Sequence, residues 1–114
     1  MLILNKKLSG GPAAVIEIGS SAVRMRVSQL KHGEIEMLDS LEYPVFFGHE
    51  VFTTGRISFE SLRQLSSILT KFTTALEGYN CKNVRVVSST VMREAENRLS
   101  LIHISEPTRQ AEIS

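Results

Sequence analysis

Ala13 to Ile18 form a nearly continuous apolar run, interrupted only by Glu17 near its end. A run that short and that apolar reads as a strand buried on both faces, which fixes it inside a sheet. Gly19-Ser20-Ser21 follows as a tight turn of small residues, and Val23 to Val27 then alternates strictly. Val23, Met25 and Val27 share one face of that second strand, and Arg24 and Arg26 share the other. So short a turn joins the two strands antiparallel. Glu17 is the odd residue, because a carboxylate there is costly unless it is solvated, paired or bound to a metal. A strand-end glutamate that simply reaches water also fits the pattern.

The rest of the chain extends this start into an α/β unit. Ser9-Gly10-Gly11-Pro12 is a flexible break that sets off residues 1–12 as a leader. Lys31-His32-Gly33 supplies a hairpin turn with Gly33 free to take positive φ. Glu34 to Val45 reads as a third strand, bent near Leu38 where the alternation slips, with Pro44 at an edge or strand end. His49 to Gly55 reads as a loop pinned to the core by Phe46, Phe47 and Phe52. Ser58 has the features of an N-cap. Leu62, Leu65, Leu69, Phe72 and Leu76 then place one apolar stripe on a helix, with Arg63, Gln64, Ser67 and Lys71 opposite and Gly78 as its terminating residue. Val84 to Val87 is a short strand, and Ser88-Ser89-Thr90 can cap a second helix from Val91 to about Arg98. The order is β-β-β-α-β-α with a mixed sheet, the helix crossing over to a strand that can pair parallel with the first.

Composition removes several function classes. The 114 residues carry 13 basic and 12 acidic side chains, a net charge of +1, interspersed in sign. That balance gives no electrostatic case for DNA or an anionic membrane. The longest apolar stretches fall far short of the ~20 residues a membrane helix needs. The N-terminus runs apolar then basic, the reverse of a signal peptide, so the chain reads as cytoplasmic. Cys81 stands alone, without a CxxC or a zinc cluster, and reads as a reduced thiol. His32 and His49 lack metal-ligand spacing.

Three segments together carry a resemblance. Ala14-Val15-Ile16-Glu17-Ile18-Gly19-Ser20-Ser21-Ala22-Val23-Arg24-Met25 is the first, Thr54-Gly55-Arg56-Ile57-Ser58 the second, and Val84 through Ser88-Ser89-Thr90-Val91-Met92-Arg93-Glu94-Ala95 to Arg98 the third. In this order and spacing they resemble the exopolyphosphatase / guanosine pentaphosphate phosphohydrolase family, over Ala13 to Arg98. Glu17 stands where that family usually has Asp, and Ser21-Ala22 where it usually has Asn-Ser. The resemblance implies a partial actin-like ATPase (ribonuclease H-like) domain whose first turn binds phosphate. It implies polyphosphate or guanosine pentaphosphate as substrate and Mg²⁺ as cofactor, with Glu17 as the first-strand acid that organises the metal and the attacking water. A homodimer is one option for the full-length form.

Cleavage of a terminal phosphoryl group is mostly positioning and charge stabilisation. Gly19, Ser20 and Ser21 can offer a nest of backbone N–H donors. Arg24 is the first candidate cation; the bland alternative is a solvated charge on the polar face of a strand. Arg93, at the start of the second helix, is the other; its alternative is a surface arginine. Glu94, Glu96 and Asn97 read as solvated helix surface. The family's activity also needs a catalytic glutamate and a second Gly-rich phosphate loop, neither of which is in this sequence, so this stretch is expected to be inactive alone. Residues 99–114, from Leu99 to Ser114, resemble translated sequencing-adapter sequence, and the natural chain is expected to part from them near Arg98 to Ser100. Two further readings stay open: a relative that holds polyphosphate or an alarmone nucleotide without cleaving it, and an actin-like sugar kinase or ATPase. A dinucleotide fold does not fit, because Gly19-Ser20-Ser21-Ala22-Val23 is no GxGxxG and leads into a strand.

Overall fold

The computed structural model describes residues 11–89 and 112–113. The leader up to residue 10, the helix expected from Val91 to about Arg98 with Arg93, and the tail apart from Glu112 and Ile113 lie outside the described residues. Strands β1 (Ala13–Ile18), β2 (Ala22–Lys31) and β3 (Glu34–Pro44) form an antiparallel meander. Helices α1 (Phe47–Thr54) and α2 (Phe59–Gly78) follow, then β4 (Asn83–Ser88). β4 lies parallel to β1, Ile16 opposite Val86, so β1 is central as its apolar run requires. A two-residue strand, β5 (Glu112–Ile113), pairs parallel with β4 and completes the sheet order β3-β2-β1-β4-β5.

The sheet has two unlike faces. Ile16, Ile18, Val23, Met25, Val27 and Val86 are buried on one, under Leu65, Ile68, Leu69, Phe72 and Leu76 of α2. Side chains at the alternate positions, Glu17, Arg24, Arg26 and Arg85, stand on the other. The alternation read in β2 is therefore the alternation observed. Ser58 caps α2 as expected, its hydroxyl accepting from the Ser61 N–H at 3.1 Å. The slip near Leu38 is a bulge: Val27 faces Asp39 and Ser28 faces Met37, so Leu38 is left over. Both turn residues between β2 and β3 have positive φ, 53° at His32 and 80° at Gly33, the pattern of a tight hairpin turn matched to strand twist.

Three expectations are corrected. Residues 47–54 are helix, not loop. Of the three phenylalanines assigned to pin that segment, only Phe47 is buried, while Phe46 and Phe52 are 81% and 89% exposed. A single buried aromatic suffices because a two-turn helix presents one narrow side to the core. Gly78 belongs to α2 itself, and the left-handed residue after the helix is Asn80, at φ 53°. Asparagine tolerates that region well enough to serve.

Candidate phosphate-binding site

The turn between β1 and β2 is held from three sides through its carbonyls. The Ser89 N–H, just past β4, donates to the Ile18 carbonyl at 3.0 Å. The Gly48 N–H in the first turn of α1 donates to Ser20 O at 2.9 Å, and the Val45 N–H to Ser21 O at 3.0 Å. Gly19 closes the loop on itself, its N–H donating to Ala22 O at 2.9 Å. The N–H groups of Ser20 and Ser21 have no acceptor among the described residues. A short turn whose carbonyls are anchored by protein while adjacent N–H groups are left over is suited to an anion. It lies where β1 and β4 both end, so the start of the third sequence segment is brought beside the first.

The charged candidates form a ladder across the polar sheet face. Glu17 is the cross-strand partner of Arg24, and Arg24 of Glu42. The Arg24 Nε donates to Glu42 Oε1 at 2.6 Å. That hydrogen bond, with the carboxylate's charge, pushes the guanidinium pKa further up, so Arg24 is a permanent cation. Arg26 Nη1 lies 3.3 Å from Glu17 Oε1. The structure thus answers how Glu17 is accommodated: it is half-exposed and paired. It also gives Arg26, the other arginine on that face, a partner. Both pairs are open to water and so exchangeable rather than locked.

A magnesium ion, implied by the resemblance, would need one or two carboxylates beside the phosphates it bridges. Among the described residues no group of three or more His, Cys, Asp and Glu comes together. Glu17 stands near the turn but already faces Arg26. Glu17 is the carboxylate beside the turn that would hold such an ion, with phosphate oxygens and water completing its shell.

The Thr54–Ser58 segment serves the corner between α1 and α2. Gly55 ends α1 in the left-handed region at φ 76°, its N–H donating to Val51 O at 2.7 Å. Ile57 is buried, and Ser58 begins the cap of α2. Glu50 Oε1 accepts the Ser58 N–H at 2.6 Å. Burial alone would raise the Glu50 pKa, but hydrogen bonds from the N–H and hydroxyl of Ser58 and from the Ser61 hydroxyl outweigh it and hold the carboxyl below its usual range. Sequence reasoning missed both Glu50 and Gly48. Gly48 is a close-approach glycine: a Cβ there would stand 2.5 Å from Ser20 Cβ. In the sequence it is one more glycine in a stretch that looks like loop. Cys81, half-buried, hydrogen-bonds the Pro12 and Asn83 carbonyls at 3.5 Å, and burial raises its pKa, which leaves it a poor nucleophile.

Solved structures share this fold. An Aquifex aeolicus member of the Ppx/GppA protein family superposes with TM-score 0.82 at 23% identity, over 91% of this chain and 35% of that one. An exopolyphosphatase from Cytophaga hutchinsonii gives TM-score 0.81 at 19% identity, over 90% and 33%. The fold is that of the Ppx/GppA proteins. More distantly it matches the ethanolamine utilization protein EutJ of Carboxydothermus hydrogenoformans, at TM-score 0.53 and 13% identity over 91% and 44%. In sequence, 84 residues are 27% identical to a Haemophilus influenzae protein named "Putative exopolyphosphatase", covering 74% of this chain and 26% of that protein. No protein-family model matches the chain. The chain spans about a quarter to a third of the length of the Ppx/GppA proteins it resembles.

Proposed function

We propose that this chain is one part of a phosphohydrolase that releases terminal phosphate from inorganic polyphosphate or from guanosine pentaphosphate, and that it carries one wall of the phosphate site. The observation that carries the reading is the turn at Gly19 to Ser21, with its carbonyls anchored and the Ser20 and Ser21 N–H groups left over. The N–H groups take the terminal phosphoryl oxygens, and Arg24 exchanges Glu42 for the equatorial oxygens. Arg93 is proposed as a second cation, and Glu17 as the acid that organises Mg²⁺ and the attacking water. The ion would supply charge neutralisation between phosphates. A site of this kind needs a second wall, so the chain alone is proposed to be inactive. The deciding experiment measures phosphate released from both substrates by this chain and by the longer natural protein. Turnover by the longer protein alone is expected, and equal turnover by the chain would contradict the incomplete site.

The Glu17–Arg26 pair favours a second reading, in which the protein holds polyphosphate or an alarmone nucleotide without cleaving it, its first-strand acid being occupied. Glu17→Asp in the longer protein separates the two. A rise of orders of magnitude from a negligible rate supports the binding protein, and little change supports an enzyme that uses Glu17 as it stands.

A further inference from the structure

We infer that Gly48 is a positioning residue: the first turn of α1 acts as a brace that sets the shape of the phosphate turn, and only a glycine lets it come close enough. The inference rests on the proposed phosphate role of that turn. The Gly48 N–H holds the Ser20 carbonyl at 2.9 Å, and three residues earlier the Val45 N–H holds the Ser21 carbonyl at 3.0 Å. The first bond ties the Ser20 carbonyl to α1, the second ties the Ser21 carbonyl to the residue after β3, and a peptide plane whose carbonyl is fixed has its N–H fixed pointing the opposite way. The brace thus orients the Ser21 N–H, and the Val45 bond the Ala22 N–H. A side chain at position 48 would bring its Cβ to 2.5 Å from Ser20 Cβ, where ordinary contact begins at 3.4 Å. Turn and helix would have to part by about 0.9 Å, a shift that packed protein does not absorb without moving one of them. Apart from the buried Phe47, α1 has little else to fix its start: its N-cap is Phe46, which makes no side-chain cap. Brace and turn therefore depend on each other, and occupancy of the turn by phosphate would be felt in α1.

The test is a two-by-two cycle on the full 114-residue chain: unaltered, Gly48→Ala, Ser20→Gly, and both together. Sodium tripolyphosphate is titrated while the backbone amide resonances of Ser21 and Ala22 are followed, and thermal unfolding is recorded for each variant. Alanine is the better helix former, so Gly48→Ala should stabilise unless the close contact decides. The inference predicts that Gly48→Ala weakens tripolyphosphate binding by about tenfold or more and lowers the unfolding midpoint by about 4–8 °C. With Ser20→Gly the opposing Cβ is gone, and the same change should then leave binding unaltered and no longer lower the midpoint relative to Ser20→Gly alone. Equal effects of Gly48→Ala in both backgrounds would overturn the brace. No binding by the unaltered chain would overturn the claim that this turn holds phosphate without a second wall, and the unfolding cycle would then decide the brace by itself.

Discussion

Glu50 does across a helix corner what a glutamate three residues into a helix does in a capping box: it accepts the backbone N–H of the N-cap residue. The Ser58 hydroxyl serves Ser61, so the cap of α2 is completed by a side chain from α1. Removing it in Glu50→Ala leaves the Ser58 N–H without that acceptor and should cost about 1–2 kcal/mol, read from urea unfolding. The pH dependence has a defined sign. The folded-state pKa is lowered, so the unfolded chain holds the proton more tightly, and the carboxylate's contribution is complete above about pH 4.3 and fades as pH falls through the lower folded value. Glu50→Gln should therefore lose less stability than the parent between pH 4.3 and acid; an identical acid limb would contradict the assignment. Gly55, in the left-handed region beside it, explains why a glycine stands in the Thr54–Ser58 segment.

At the scale of elements, α2 does most of the covering. Its five buried side chains close one sheet face, and Phe72 also meets the Tyr43 ring at 5.8 Å between centroids. Phe72→Ala should cost about 3–5 kcal/mol, and Ser58→Ala about 1 kcal/mol, both by chemical unfolding. These elements were legible because their signals are local: apolar period, cap residue, strict alternation, even the slip at Leu38. α1 was not. Its sequence has a glycine at its second position and no capping side chain, and its existence depends on Phe47 entering the core and on the contact with Ser20. The turn was readable from its small residues, whereas the engagement of Arg24 by Glu42 was not. That pair exists only in the β2–β3 register, which the bulge at Leu38 sets.

For the molecule as a whole, the two sheet faces differ in character. One is a packed core under α2; the other carries Glu17, Arg24, Arg26 and Arg85 next to an anchored turn. Chains of this fold that run about three times as long have the remaining length with which to close such a site. In the proposed site, backbone N–H groups of the turn hold phosphate, and proline tests this because it removes an N–H while leaving the carbonyl. In the longer protein proposed above, phosphate release from polyphosphate is to be compared for Ser21→Ala and Ser21→Pro, with folding checked by circular dichroism. Ser21→Ala should stay near the parent, and folded Ser21→Pro should lose about 10²–10³ in kcat. A folded Ser21→Pro protein that releases phosphate as fast as Ser21→Ala would contradict the claim.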